Sequence, residues 1–251
     1  MPAYNEERTI PKLLVRLHED LVDDGVDYAV IVVDDGSADR TYDAVCAVAR
    51  DKPVTVVRHE QNLGLGEAIR TGLLRACEEA ADRDIIITMD ADDTHTPGLI
   101  LRMVRTIREG SDLVIASRYQ PGARVIGVSL GRRLLSRAAS LVCQVSFPTA
   151  GVRDFTCGYR AYRASLLKEA FARYGRSLVE HSGFQCMLDL LLKMRSMGAI
   201  IVEVPLILRY DQKHSASKMK IGQTIRASLL LLLRTRAHAL SSPSKPPDRP
   251  T

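Results

Sequence analysis

The sequence predicts an α/β fold in which a mostly parallel sheet is flanked by helices. Short apolar and β-branched runs alternate with helix-periodic segments through the first half of the 251-residue chain. This alternation favours parallel strands joined by helical crossovers. The runs at 29–33 and 85–89 end directly in acidic residues. Carboxylates are therefore expected at the carboxyl edge of the sheet, where open α/β sheets bind ligands.

The elements of the first half follow in a regular order. Residues 1–5 resemble the loop after a strand, and no strand precedes them, so the first strand is expected to be missing. Apolar side chains recur at helical spacing over 6–21. Further strands are predicted at 29–33, 54–57, 85–89 and 113–116. Helices are predicted after Asp39 or Thr41, after Gly66, and from Pro97 to about 109.

The second half is less regular. A basic helix is predicted at 129–146, a polar turn at 154–163, helices at 166–174 and 184–197, and a strand at 200–204. Residues 1–218 are interpreted as one domain and 219–240 as an amphipathic C-terminal helix. Residues 241–251 are rich in Pro and Ser and are predicted to be a disordered tail.

Composition and charge limit the classes of partner. The content is 46% hydrophobic and 26% charged, which is ordinary for a globular protein. The formal net charge is +5, and residues 118–137 carry five arginines and no acid. This favours an anionic partner such as phosphate or a membrane surface, with a solvated face as the alternative. Nucleic acid is not expected, because aromatic residues are few and are not interleaved with the basic residues.

Cysteine usage and hydropathy indicate a cytoplasmic protein. The five cysteines include no C-x-x-C motif and are interpreted as reduced thiols. No apolar run reaches the ~20 residues that a membrane-spanning helix needs. The apolar and basic residues of 219–240 can instead lie in the membrane interface. Packing on the protein's own core, or on a membrane-protein partner, is the alternative.

Asp90 and Asp92 follow the strand predicted at 85–89. They are two residues apart, so both would point the same way if the strand continued through them. Neighbouring carboxylates repel unless a cation lies between them, and a hard divalent cation that also holds phosphate oxygens is the natural ligand. An acidic loop ahead of a helix whose N-terminus is capped by Thr94 or Thr96 is the alternative. His95, beside these acids, is a candidate metal ligand, but a surface histidine is the expectation.

Several motifs occur in a set order. The first group is Pro2-Ala3-Tyr4-Asn5-Glu6, Asp34-Asp35-Gly36-Ser37, Asn62-Leu63-Gly64-Leu65-Gly66 and Asp90-Ala91-Asp92. It resembles the nucleotide-sugar half of family-2 glycosyltransferases with the GT-A fold. The second group is Ser117-Arg118-Tyr119, Arg132-Arg133-Leu134-Leu135-Ser136, Asp154-Phe155-Thr156-Cys157-Gly158-Tyr159-Arg160, Glu203-Val204-Pro205 and Ser217-Lys218. It resembles dolichol-phosphate mannose synthases and related polyprenyl-phosphate glycosyltransferases.

The resemblance implies an inverting, metal-dependent hexosyltransferase, peripheral at the inner face of the membrane. It would move mannose or glucose from GDP-mannose or UDP-glucose to polyprenyl or dolichyl phosphate. Asp90 and Asp92 would bind Mg²⁺ or Mn²⁺ and, with Arg118, form the catalytic centre. The implied nucleotide-binding residues are Pro2, Tyr4, Glu6, Val33, Asp35, Ala91 and Lys218. The implied acceptor-phosphate residues are Arg118, Arg132, Arg133 and Ser136.

Other functions and roles stay open. A phosphate acceptor carries about −1.5 to −2 charges near pH 7 and is its own nucleophile. A relative with a glycan or glycolipid acceptor would need a carboxylate base, for which Asp154 and Asp189 are the candidates. A non-catalytic nucleotide-binding relative is a third possibility. Asp154 could alternatively be structural, holding Arg160 or a turn, and Arg132 and Arg133 could form a solvated helix face.

Overall fold

The computed structural model describes residues 1–180, 183 and 185–212. The strands are β1 (Pro2–Ala3), β2 (Val30–Asp34), β3 (Val54–Arg58), β4 (Ile85–Thr88), β5 (Leu113–Ser117), β6 (Arg124–Ile126), β7 (Arg160–Arg163), β8 (Ile201–Pro205) and β9 (Ile207–Arg209). The α-helices are α1 (Ile10–Asp23), α2 (Thr41–Val48), α3 (Leu65–Glu79), α4 (Ile100–Arg108), α5 (Leu130–Ser146), α6 (Ala164–Tyr174) and α7 (Gln185–Ser196). Short 3₁₀ helices lie at Pro97–Leu99, Gly175–Val179 and Tyr210–Gln212.

The sheet is mostly parallel, as the sequence predicts. Strands β1, β2 and β3 are neighbours in that order and all run parallel. A second sheet has the order β4-β7-β5-β8, in which β5 and β8 are parallel. Strand β7 is antiparallel to both β4 and β5. A short parallel pair, β6 and β9, stands apart from these sheets.

The helical periodicity of the first helix corresponds to its buried face. The buried side chains of α1 are Ile10, Leu13, Leu14, Leu17 and Leu21. This spacing places them on one stripe of the helix, so the stripe packs into the core while the charged residues between them face outward.

The N-terminal segment, interpreted from the sequence as the loop after a strand, itself contains the short strand β1. Pro2 and Ala3 lie opposite Val33 and Asp34 of β2. The Asp35 N–H donates to the Ala3 carbonyl at 2.9 Å, which continues the pairing. A proline is tolerated at the first residue of a strand, so the loop-like composition did not prevent strand pairing.

The turn predicted at 154–163 is wrong at its C-terminal end, because Arg160–Arg163 form the inner strand β7. Its first residue, Arg160, is fully buried and donates to the carbonyl oxygens of Phe155, Cys157 and Met187 at 2.7–2.8 Å. Backbone oxygens therefore satisfy the guanidinium inside the protein, a solution that a polar sequence does not reveal.

Some predicted features lie outside the described residues. These are Lys218, the amphipathic helix at 219–240 and the tail at 241–251. Within the described part of the chain, every helix is too short or too polar to cross a membrane.

Candidate active site

The acid loop, residues 90–93, is held by its own neighbours. Strand β4 ends at Thr88, so strand periodicity does not orient Asp90 and Asp92. The Asp90 N–H donates to His95 Nδ1 at 3.3 Å. Asp92 Oδ1 accepts from the Thr94 hydroxyl at 2.7 Å and from the Thr94 N–H at 3.2 Å. Side chains two and five residues further along therefore fix the position of the two acids.

His95 is buried, so its predicted surface position is wrong. Its ring stacks on Tyr159, with ring centroids 4.9 Å apart. Because Nδ1 accepts from the Asp90 N–H, Nε2 carries the proton, and it lies 3.9 Å from Asp90 Oδ2. The Tyr159 hydroxyl in turn donates to the Thr96 carbonyl at 3.0 Å. The segment before β7 thus covers the acid loop and encloses the histidine.

The donor set of the acid loop fits a hard divalent cation. Asp93 has φ 63° and pairs with Arg16 of α1, which separates it from the Asp90 and Asp92 pair. Among the described residues, no three His, Cys, Asp or Glu side chains form a group that could hold a metal ion. The protein would thus supply Asp90 and Asp92, with substrate and water oxygens completing the shell. Mg²⁺ commonly takes one or two carboxylates in this way.

Asp35 is buried and holds the loop that precedes α3. Its Oδ1 accepts from the Leu63 N–H and its Oδ2 from the Gly64 N–H, both at 2.9 Å. His59, just after β3, places Nδ1 2.8 Å from Asp35 Oδ1 and Nε2 3.0 Å from the Thr71 hydroxyl. The motifs at 34–37 and 62–66 therefore form one hydrogen-bonded unit through Asp35.

Gly36 is required by the close approach of these two motifs. Its φ is +65°, and a Cβ added there would lie 2.3 Å from the backbone carbon of Gln61. No side chain fits in that space, so glycine lets the 61–62 backbone cross directly over the turn.

The other predicted nucleotide-binding residues in the described part of the chain lie on β1 or β2, in the segment after β1, or in the acid loop. Pro2 is part of β1, and Tyr4 is half-buried just after it. Glu6 is buried; its N–H donates to the Thr41 hydroxyl, and its carboxylate accepts from the Thr9 hydroxyl, both at 2.8 Å.

Val33 and Ala91 have apolar packing roles. A Cβ added to Gly72 of α3 would meet Val33 Cγ2 at 3.3 Å, so the Val33 side chain faces the helix. Ala91 belongs to a core cluster with Ala3 and Ile10. Val33 is fully buried in this structure, its backbone included, so no atom of Val33 is accessible to a nucleotide.

Arg118, just after β5, is held by the buried carboxylate of Asp154. Arg118 Nε donates to Oδ2 and Nη2 to Oδ1, both at 2.7 Å, and the Arg118 N–H donates to Oδ2 at 3.0 Å. Burial opposes ionisation of Asp154, but the charge and hydrogen bonds of Arg118 outweigh it and lower the Asp154 pKa. Arg118, not Arg160, is therefore the partner of Asp154.

Glu203 holds the backbone at Arg153 and Asp154 through hydrogen bonds. Its Oε1 accepts from the Arg153 N–H at 2.7 Å and from the Asp154 N–H at 2.6 Å. Burial raises the Glu203 pKa, and these hydrogen bonds partly oppose that shift. The glutamate of the Glu203-Val204-Pro205 motif thus positions Asp154 for its pair with Arg118.

The predicted acceptor residues on α5 already have protein contacts. The guanidinium of Arg132 lies 4.9 Å from the centre of the Tyr210 ring. Arg133 is half-buried on the same helix. The Tyr119 hydroxyl donates to the Ser136 carbonyl at 3.0 Å and lies 2.7 Å from the Ser136 hydroxyl.

The stretch 154–158 connects the acid loop with Arg118. Asp154 binds Arg118 at one end, and at the other a Cβ added to Gly158 would lie 3.4 Å from Asp90 Oδ1. Four residue steps span at most ~14 Å, so the acids and the arginine lie within reach of one small substrate. The sequence identified this stretch only through its motif, and its contacts with both groups were not predicted.

His59 and Tyr119 were missed as site residues. His59 is the first residue after β3, next to a glycine-rich turn, and Tyr119 directly follows Arg118. A polar side chain at the carboxyl end of a parallel strand was the signal that could have identified His59.

Known proteins resemble most of the chain. The family model described as glycosyl transferase family 2 matches residues 1–171. An undecaprenyl-phosphate mannosyltransferase of Micrococcus luteus is 33% identical over 223 residues, 88% of this chain and 86% of that protein. The dolichol-phosphate mannosyltransferase of Pyrococcus furiosus is 31% identical over 226 residues, 90% of this chain. The chain spans only 59% of the length of that relative.

Solved structures share the fold. Glucosyl-3-phosphoglycerate synthase of M. tuberculosis is 25% identical with a TM-score of 0.66, covering 94% of this chain and 78% of that one. The same enzyme has been crystallised with Mn²⁺ and UDP-glucose, at 24% identity and a TM-score of 0.65, covering 93% of this chain and 76% of that one. These likenesses confirm the predicted α/β, GT-A architecture.

Proposed function

The chain belongs to glycosyl transferase family 2, and we propose that it transfers a hexose from a nucleoside-diphosphate sugar to polyprenyl phosphate. The names of the relatives support this, because they are mannosyltransferases of dolichol phosphate and undecaprenyl phosphate. Mannose from GDP-mannose is the first donor to test, with glucose from UDP-glucose as the alternative.

The observation that carries the proposal is that neither candidate carboxylate is suited to act as a base. Both oxygens of Asp154 accept hydrogen bonds from Arg118, and its pKa is lowered. Asp189 pairs with Lys193 at 2.6 Å. A sugar hydroxyl would need a base to remove its proton, whereas a phosphate monoester arrives already ionised. This favours the polyprenyl-phosphate acceptor over a glycan or glycolipid.

The proposed reaction is a direct displacement that inverts the anomeric configuration. An oxygen of the acceptor phosphate forms a bond to the anomeric carbon. The bond from that carbon to the donor diphosphate breaks, and its electron pair leaves with the nucleoside diphosphate. Arg118 orients the acceptor phosphate through Nη1, the guanidinium nitrogen that Asp154 and Thr156 do not occupy. The loop tied by Asp35 holds the nucleotide end of the donor.

Asp90 and Asp92 would hold Mg²⁺ or Mn²⁺ in this scheme. When bound, the cation supplies neutralisation of the charge that builds on the leaving diphosphate. The protein's own contribution is the fixed position of the two acids, which Thr94 and His95 maintain.

We propose that the protein binds the cytoplasmic face of a membrane peripherally. Helix α5 supports this among the described residues, because its outer stripe is apolar and strongly exposed: Leu130 73%, Leu134 66%, Leu141 60% and Val145 70%. Arg137 lies at the edge of this stripe, four residues before Leu141, and Arg133 lies one turn before Arg137. A helix of this kind can lie in the headgroup region, its arginines attracted to anionic lipids. A membrane-protein partner is the alternative occupant.

A panel assay tests the proposal. GDP-mannose and UDP-glucose are each incubated with Mn²⁺ and farnesyl phosphate, a short-chain polyprenyl phosphate, and the glycolipid product is measured. We expect transfer from one donor and little from the other. Transfer only to glycan acceptors would overturn the acceptor assignment. If the protein shows neither transfer nor nucleotide-sugar hydrolysis, it is a non-catalytic relative.

A further inference from the structure

A cavity of about 370 Å³ lies between the loop after β5 and helix α5. Its lining includes Arg118, Gln120, Arg137, Ser140, Leu141 and Gln144. Arg132, Arg133 and Ser136, which the family resemblance implies for the acceptor phosphate, do not line it. The cavity therefore combines Arg118 with a second arginine that no motif identifies.

Arg118 alone is a poor receptor for a dianion. Asp154 is buried against it, so the two charges largely cancel at the cavity wall. Asp154 and Thr156 take the hydrogen bonds of Nε and Nη2, and no described residue accepts one from Nη1. Arg118 can thus direct a hydrogen bond into the cavity but brings little net charge. A phosphate monoester with about −1.5 to −2 charges requires another cation.

Arg137 is placed to supply that charge. It is exposed on α5 and makes no ion pair with an acid among the described residues. Arg137, Ser140, Leu141 and Gln144 follow the spacing i, i+3, i+4 and i+7, so they share one face of the helix. This face is the one that lines the cavity.

We propose that Arg137 and Arg118 together form the binding site for a phosphate monoester, the acceptor anion of the reaction proposed above, on which this inference rests. Arg118 contributes a directed hydrogen bond from Nη1, and Arg137 contributes the net charge. The amides of Gln120 and Gln144 add neutral hydrogen-bond donors. Leu141 belongs both to this cavity and to the exposed apolar stripe of α5, so an apolar chain attached to the phosphate has a surface on which to leave the cavity.

The experiment measures binding by calorimetry and transfer by product formation. Farnesyl phosphate, 3-phosphoglycerate and inorganic phosphate are the probes. Arg137→Gln removes the charge, and Arg137→Lys retains it without the fork. Arg102→Gln is the matched control, because Arg102 is an exposed arginine on α4, outside the cavity.

We expect Arg137→Gln to weaken farnesyl phosphate binding by about tenfold to a hundredfold, the range of a charged hydrogen bond. The KM for the acceptor should rise by a similar factor and kcat should change less. Arg137→Lys should recover most of the loss, and Arg102→Gln should stay within about twofold of the wild type, since a distant exposed charge is screened.

The outcomes separate this inference from the proposed function. Equal binding by the wild type and Arg137→Gln, or equal losses in Arg137→Gln and Arg102→Gln, would overturn the site. If 3-phosphoglycerate or inorganic phosphate binds in an Arg137-dependent way and farnesyl phosphate does not, the anion site stands and the polyprenyl acceptor fails. If farnesyl phosphate is a substrate but its KM is the same for the wild type and Arg137→Gln, the proposed function stands and the proposed site is wrong.

Discussion

Arg118 donates two parallel hydrogen bonds to the carboxylate of Asp154, each 2.7 Å long. Asp154 is fully buried, whereas 23% of the Arg118 side chain is exposed. The carboxylate therefore anchors the arginine from inside the protein and leaves one edge of the guanidinium facing the cavity beside α5. The pair makes Arg118 rigid, and it also removes Asp154 from consideration as a base.

Breaking this pair should be costly. Asp154→Asn leaves Arg118 without its buried partner, and we expect a loss of about 3–5 kcal/mol in the free energy of unfolding, measured with urea. The control is Asp82→Asn, which removes the exposed ion pair with Lys168. That change should cost no more than about 1 kcal/mol. Similar losses in the two variants would contradict the structural role of Asp154.

The pH dependence of stability should carry the signature of the same pair. The Asp154 pKa is lowered from its ordinary 3.8, so the unfolded chain binds the proton more readily than the folded protein. The stabilisation is therefore complete above that value and is lost as the pH falls through the lower, folded pKa. The stability gap between wild type and Asp154→Asn should stay constant from about pH 5 to pH 8 and shrink only below about pH 4. A gap that closes near pH 6 would refute this assignment.

The acid loop should be essential for transfer but not for folding. Asp92→Asn should reduce the rate at least ~10²-fold, the typical cost of losing one electrostatic stabiliser. The melting temperature should change little, because Asp92 is only half-buried. Asp93→Asn is the control. Asp93 pairs with Arg16 and has φ 63°, a conformation that asparagine also adopts. The transfer rate of this variant should therefore fall much less than that of Asp92→Asn. Near-normal transfer by the wild type in EDTA would argue against a metal at this loop.

His59 should act on the donor through Asp35. His59→Ala removes the Nδ1–H donor to Asp35, and we expect the KM for the nucleotide sugar to rise roughly five- to tenfold, from the ~1 kcal/mol of one hydrogen bond. His59→Asn places an amide N–H near the position of Nδ1 and should recover part of this loss. Identical kinetics for the two variants would show that the hydrogen bond to Asp35 has no role in donor binding.

Substitution of Gly36 tests whether the backbone of residues 61 and 62 crosses directly over the turn at 34–37. Gly36 and Gly25 have the same φ of +65°, but a Cβ at Gly25 meets nothing within 4 Å. Gly25→Ala should thus cost about 1–2 kcal/mol from backbone strain alone. Gly36→Ala adds a clash with the Gln61 backbone and should cost at least ~2 kcal/mol more in urea unfolding. Equal losses would mean that residues 61 and 62 do not lie over the turn.

Local pattern was enough to predict the five strands β2, β3, β4, β5 and β8, the helices, and the acids at the carboxyl edge. The buried stripe of α1 and the runs that became β2, β4 and β5 differ from their predicted bounds by a few residues at most, because their periodicity is a local property of the chain. Asp90 was identified for the same reason, since it follows the predicted run 85–89 directly, whereas the role of Asp35 came from the family resemblance. The motif order predicted the family, which the comparisons confirm.

Tertiary structure alone decided which groups meet. Arg118 and Asp154 are 36 residues apart, and Asp35 and His59 are 24 apart. Neither separation has a periodic signature. The sequence left Arg160 as a partner for Asp154, but β7 is inserted antiparallel between β4 and β5, and this buries Arg160 among carbonyl oxygens. The same insertion covers His95 and brings Gly158 to Asp90. Packing of distant strands selects these partners, because a buried charge is stable only where the assembled fold supplies its hydrogen bonds.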